Sequence, residues 1–146
     1  MPEHIPIGAD HAGVALKQRL VAWLQAEGFA PDDVGTDSEA SVDYPDFAHE
    51  VAGRVERGEV RRGILICGSG VGMSIAANRH PGVRASLVWT PEVAQATREH
   101  NDSNVLCLPA RFLTPEQGIE IVRTWLGTGF EGGRHARRVA KIDQEP

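Results

Sequence analysis

Apolar residues along this chain keep two rhythms. Short, mostly apolar runs (IPIGA at 5–9, GILIC at 63–67, VRASLVW at 83–89, NVLCL at 104–108) alternate with longer stretches in which apolar residues recur every three or four positions. The first rhythm predicts buried strands and the second amphipathic helices. Their alternation predicts a parallel sheet with crossover helices.

Ile5–Ala9 reads as a first strand, and a helix runs from about Gly13 to Glu27 with Leu16, Leu20, Trp23 and Leu24 on one face and Gly28 as its stop. Phe29–Val34 is a weak second strand. Pro45 suits a first helical position, and Phe47, Val51 and Val55 then recur at four-residue spacing. Gly63–Cys67 is a buried strand and Val71–Arg79 a helix, with another strand at Val83–Trp89. Thr90-Pro91-Glu92 opens the next helix with a capping residue and a proline. Asn104–Leu108 is a fifth strand, and Thr114-Pro115-Glu116-Gln117 has the form of a capping box opening a helix through Leu126. A last helix covers Gly133–Ile142. The expectation is an α/β fold: a Rossmann-like, doubly wound five-stranded parallel sheet, helices on both faces and a C-terminal helix, in one domain over residues 1–146. Pro6 objects, because proline cannot donate to a ladder from inside a central strand. Either the strand begins late or the Pro6 nitrogen faces an unpaired neighbour.

Composition narrows the function classes. A chain of 146 residues buries roughly 68–70% of its unfolded surface and needs neither disulfide nor metal to fold. Cys67 and Cys107 both lie in apolar runs, which fits reduced thiols. A net charge of -5 gives no reason to expect nucleic acid or an anionic membrane as partner. No stretch approaches the roughly 20 apolar residues of a membrane span, and MPEHIPIG lacks a basic start leading into an apolar core. The expected setting is the cytoplasm. One local feature stands out: RHARRVAK at 134–141 carries four of the fifteen Lys and Arg residues. Taken alone, it is equally a solvated helix face.

The stretch ILICGSGVGMS (64–74) places a thiol between a buried strand and a glycine loop. Such a loop holds a nucleotide phosphate, a metal through sulfur, or a substrate against a thiolate. A dinucleotide fingerprint needs a third glycine where Met73 stands, and no acidic residue ends the next strand. The P-loop spacing is absent. Cys67 has no second cysteine or histidine at ligand spacing, so a thiolate metal site is not expected. There remains a thiol at the mouth of an anion-binding loop, where backbone N–H groups and a helix N-terminus favour negative charge and lower a cysteine's pKa. The plainer alternative for Cys67 is a small residue filling the end of a buried strand, and Cys107, with no loop after it, keeps that reading. His11 after Asp10 suits a helix cap, and His100 in EHNDSNV suits a surface turn leading into the fifth strand. His4, His49, His80 and His135 belong to no recognisable constellation.

Ligands of open α/β sheets bind beyond the carboxyl ends of the strands. Asp10-His11, Gly68–Gly72 and Ala110-Arg111 should therefore converge. His100-Asn101 precede the fifth strand and belong to the opposite edge, so they reach the same pocket only from a second subunit.

GADHAG (8–13), DYP (43–45), ILICGSGVGMSIAANR (64–79), REHNDSNVL (98–106) and GFEGGRHARRV (129–139) together resemble ribose-5-phosphate isomerase type B, of the sugar-phosphate isomerase family that includes the galactose-6-phosphate isomerase subunits. The motifs occur in order across nearly the whole chain. The resemblance implies interconversion of ribose 5-phosphate and ribulose 5-phosphate through a cis-enediolate, with no metal or other cofactor; a 6-phosphohexose isomerase and a non-catalytic sugar-phosphate sensor are the alternatives. It implies Cys67 as the base between C1 and C2, His100 as the acid that opens the furanose ring, and a hydroxyl supplied by Ser69. The backbone of Gly68, Ser69, Gly70, Val71 and Gly72 would hold the enediolate oxygens. Asp10, His11 and Asn101 would position the sugar, Tyr44 would line the pocket, and Arg111, Arg134 and Arg138 would hold the phosphate. Some members replace the cysteine with a glutamate later in the loop; that position is Met73 here, which places this chain with the cysteine-dependent members. The resemblance also implies a homodimer with shared sites, or a tetramer of such dimers.

Overall fold

Every residue of β3 (Gly63–Cys67) and β5 (Val105–Pro109) is buried, and the two-residue period of a strand sorts their side chains onto two faces. Ile64, Ile66, Leu106 and Leu108 point one way, joining Leu20 and Leu24 of α1 (Val14–Ala26) and Ile121 and Trp125 of α5 (Pro115–Gly127). Leu65, Cys67, Val105 and Cys107 point the other way, onto Val51 of α2 (Tyr44–Glu56) and Met73 and Ala77 of α3 (Val71–Ala77). At about 1.5–3 kcal/mol for each such side chain taken from water, this two-sided core holds the helices to the sheet.

The computed structural model describes residues 1–144. Its sheet is all-parallel in the order β2-β1-β3-β5-β4, where β1 is His4–Ala9, β2 is Ala30–Asp33 and β4 is Ala85–Leu87. The Rossmann-like doubly wound sheet expected from the alternating pattern is therefore present. α4 (Pro91–Asn101) and α6 (Arg134–Ile142) complete it. Thr90 caps α4 by accepting the Val93 N–H, and Thr114 and Gln117 form the expected reciprocal capping box on α5. The outer strands are shorter than expected: β2 covers Ala30–Asp33 against 29–34, and β4 Ala85–Leu87 against 83–89; each is an edge strand.

Pro6 does lie inside β1, between β2 and β3. The Ala9 N–H donates to the Gly35 carbonyl beyond β2 and the Asp10 N–H to Ile66 of β3, so successive residues turn to opposite neighbours. Pro6, in phase with Asp10, turns its nitrogen toward β3. The β1–β3 ladder begins only at Ile7–Ile64, so the missing donor falls where no acceptor is paired.

One expectation is corrected. His100 and Asn101 are the last two residues of α4 and not part of a turn. The helix is carried through them by Asp102, a C-cap in the left-handed region (φ 48°) whose N–H donates to the Thr97 carbonyl. Arg98 braces this end, donating to the Asp102 carboxylate at 3.0 Å, the Ser103 carbonyl at 2.6 Å and the Thr128 carbonyl at 3.1 Å. Beneath it Ser103 accepts from the Trp125 indole at 3.2 Å and bonds Ser86, which in turn bonds Thr97.

Candidate active site

The chain leaves β1 and β3 at the point where crossovers turn to opposite faces of the sheet, the usual place for a ligand crevice. Asp10, mostly buried just past β1, accepts the Ala12 N–H at 3.0 Å and so caps the short 3-10 turn His11–Gly13. His11 Nδ1 accepts the Val42 N–H at 3.3 Å. That contact leaves the ring proton of the neutral imidazole on Nε2. Cys67 ends β3, Tyr44 heads α2, and Arg111 sits in the 3-10 turn Ala110–Phe112 after β5. Together with Gly68, Ser69, Val71, Gly72 and Ile75 they line one cleft of about 430 Å³. The three strand ends converge as expected.

The glycines of the loop serve three separate ends. Gly70 adopts φ 74°, and a Cβ there would meet Leu87 Cδ1 at 2.5 Å. Its N–H donates to Cys67 Sγ at 3.2 Å. Gly68 accepts the Arg111 N–H at 3.0 Å, and the Arg111 side chain lies where a Gly68 Cβ would stand, with Nε 3.0 Å from that point. Gly72 packs against Tyr44, whose Cε1 would be 2.4 Å from a Cβ. Two loop N–H groups are therefore already engaged: Gly70, which is off the cleft wall, to the thiol, and Val71 to Ser69 Oγ at 3.2 Å. Those of Gly72 and Met73 find no acceptor among the described residues, as the first turn of a helix leaves them.

Lys17 holds the outer wall. It is 1% exposed, and its Nζ donates to Asp33 at 2.5 Å and the Thr36 carbonyl at 2.6 Å, tying α1 to the segment that leads to Val42 and Tyr44. Sequence reasoning misses Lys17, because a lysine on a helix reads as solvated. It also misses Ile75, which a four-residue step from Val71 would have put on the cleft face.

The two thiols differ. Burial pushes the Cys107 thiol pKa well up, with Cys67 adding a smaller like-charge contribution. Cys107 sits in the core behind Cys67 and stays protonated. As to charge, among the described residues Arg111 is the only Lys or Arg side chain on the cleft, and it makes no ion pair.

The remaining candidates lie elsewhere. His100 and Asn101 are exposed at the end of α4, at the amino edge of the sheet, and none of His100, Asn101, Arg134 and Arg138 lines the cleft of their own chain. Arg134 and Arg138, one turn apart on α6, are exposed beside them, since the His100 ring stacks on His135 with centroids 4.5 Å apart. Val71 and Ile75 of the cleft are exposed, and so are Trp89 and Phe112, which line a neighbouring pocket that shares Ser69 with it. No described helix is long and apolar enough to cross a membrane.

The profile of the family described as Ribose/Galactose Isomerase matches residues 5–142. The chain is 49% identical over 138 residues to ribose-5-phosphate isomerase B of Escherichia coli, covering 94% of this chain and 93% of that one. Among solved structures, Clostridium thermocellum ribose-5-phosphate isomerase B superposes with a TM-score of 0.94 at 48% identity, covering 96% of this chain and 95% of that one. The Mycoplasma genitalium enzyme with bound ribulose-5-phosphate superposes with a TM-score of 0.94 at 44% identity, covering 98% and 95%. With the motifs in order, the sheet order and the full-length match agreeing, this chain belongs to the ribose/galactose isomerase family.

Proposed function

We propose that the protein interconverts ribose 5-phosphate and ribulose 5-phosphate, with Cys67 as base and without a metal. The observation that carries this reading is the pairing of a cleft-facing thiol with an aimed N–H, 3.2 Å from Sγ, in a chain half identical to a ribose-5-phosphate isomerase. Opening the furanose frees the aldehyde at C1. The Cys67 thiolate takes the C2 proton, negative charge passes to the oxygens of a cis-enediolate, and the thiol returns the proton to C1. Ser69, lining the same cleft as the thiol, is the hydroxyl that passes a proton between the two oxygens. Loop N–H groups stabilise the enediolate where charge develops, and Asp10, His11 and Tyr44 orient the sugar.

A sugar phosphate needs more positive charge than one cleft supplies. We place His100, Asn101, Arg134 and Arg138 of one subunit over the cleft of another, in a two-fold dimer or a tetramer of such dimers. Three features support this: the four residues share the amino edge, the cleft holds a single guanidinium among the described residues, and exposed apolar side chains lie on it (Val71, Ile75) and in the adjoining pocket (Trp89, Phe112). His100 then opens the ring and the arginines take the phosphate, bidentate geometry favouring them over lysine. Residues 1–146 act as one domain, in the cytoplasm, in this reading.

The test is a coupled assay on ribose 5-phosphate, allose 6-phosphate and galactose 6-phosphate, run on wild type and Cys67→Ala. The expected result is the highest kcat/KM for ribose 5-phosphate and a loss of about 10²–10⁴-fold in the variant, the usual cost of removing a positioned acid–base group. Preference for a hexose phosphate sinks the substrate assignment. More than about a tenth of wild-type turnover in Cys67→Ala sinks the base.

A further inference from the structure

His135 is the one histidine of the basic segment, and no role attaches to it in the mechanism above. It is 6% exposed, and its Nε2 is a buried polar atom without a hydrogen-bond partner among the described residues. The nearest acid, Glu131, stands 3.6 Å from that nitrogen, past hydrogen-bond reach. Its ring lies nearly parallel to that of His100, with 18° between the planes. His100, Glu131 and His135 bring ligand atoms within 4.8 Å of one another. Yet a metal needs lone pairs in the ring planes to converge, and stacked rings point theirs side by side. The geometry suits contact between ring faces better than coordination.

The surroundings of the pair are charged. Burial first, then the Arg134 guanidinium, lowers the His135 pKa, with His100 and Arg138 adding to this and Glu131 opposing. Glu99, whose backbone carbonyl accepts the Glu131 N–H at 3.1 Å, has its pKa lowered first by the Gln95 amide, which donates to its carboxylate at 2.6 Å. Of the two stacked rings, His135 is the buried one and His100 the exposed one, open to a substrate from outside.

We propose that His135 is a positioning residue for ring opening: its buried ring, on α6, stacks on His100 of α4 and holds that imidazole at the angle from which it reaches the substrate's ring oxygen. This rests on the assignment of His100 as the ring-opening acid. Without the stack, His100 would rotate freely at an exposed helix end, where only a fraction of its rotamers aim a nitrogen at the substrate.

Ring opening and proton transfer at carbon can be measured apart. Ribose 5-phosphate is a cyclic furanose and must be opened before C2 can be deprotonated. Ribulose 5-phosphate carries its phosphate on the only hydroxyl that could close such a ring, so it is open-chain. Exchange of solvent deuterium into its C1 therefore needs the base but not the ring-opening acid. His135→Ala should lower kcat for ribose 5-phosphate at least tenfold and leave C1 exchange of ribulose 5-phosphate within about twofold of wild type. His135→Phe, which keeps a flat ring against His100, should recover most of the lost turnover. Equal loss of both reactions in His135→Ala, or no recovery with His135→Phe, overturns the positioning role. His100→Ala serves as the separate control. If it spares turnover of ribose 5-phosphate, the assignment of His100 fails. If it lowers that turnover while His135→Ala does not, only the inference about His135 fails.

Discussion

At the carboxyl edge of the sheet, Asp10, Cys67 and Arg111 each stand within two residues of a strand end. At the amino edge, His100, Asn101, Arg134 and Arg138 ride on helices. The first set inherits its geometry from the ladder: fixing β1, β3 and β5 in register fixes three functional groups together. The second set depends on helix ends, and the structure uses a left-handed Asp102, the Arg98 brace and a chain of hydroxyls (Thr97, Ser86, Ser103) to hold one of them. A position at a strand end comes with the fold, whereas a position at a helix end has to be separately secured.

The sharpest way to break this division is to damage each edge in a different chain. Cys67→Ala and His100→Ala subunits should each be nearly inactive. Mixed under conditions that exchange subunits, they should regain about a quarter of wild-type activity, because half of randomly paired two-fold dimers are mixed and each of those holds one intact cleft. A mixture that stays inactive despite verified exchange would place all the chemistry within one chain.

A smaller effect should separate phosphate binding from folding. Arg138→Ala removes an exposed charge that makes no ion pair among the described residues, so thermal stability should shift little. KM for ribose 5-phosphate should rise tenfold or more, corresponding to about 1.4 kcal/mol. Residual activity on unphosphorylated ribose should be unchanged. Equal loss on both substrates would assign the arginine to the fold.

How much the sequence discloses differs between the same two regions. The strand ends are legible because unbroken apolar runs such as GILIC mark buried strands and glycines mark the loops beyond them. Placing His100 at the opposite edge needs only the order of elements. That it ends a helix is not legible, because Asp102 in a left-handed conformation cannot be told by type from an aspartate opening a turn. The burial of Lys17 and the stacking of His135 on His100 depend on tertiary neighbours that no local pattern announces. The glycine loop suggests amides free for the substrate, and two of those amides instead bond to Cys67 and Ser69.

The smallest predicted effect contrasts the two cysteines. Iodoacetamide should label Cys67 in the native protein and leave Cys107 untouched, which peptide mapping would read directly. Cys107 also links stability to pH. The unfolded chain ionises this thiol above its ordinary pKa of about 8.5, while burial keeps the folded one protonated. The folded state then binds more protons, so stability present below that pH is lost as pH rises, by up to about 1.4 kcal/mol per pH unit. Cys107→Ala should flatten the alkaline limb of a denaturation series, and an unchanged limb would mean that other groups set it.

Gly70 has a consequence for how this loop tolerates change. A left-handed backbone and the Leu108 backbone 3.2 Å from a Cβ are two independent penalties, and alanine meets both, with Leu87 Cδ1 at 2.5 Å forced to move. Both penalties fall on every side chain here, so a substitution scan should show loss at each replacement, least for asparagine, which tolerates the left-handed region. The thiol and the amide aimed at it are therefore inherited as one unit: a chain that gives up glycine at 70 gives up the environment of Cys67 in the same step.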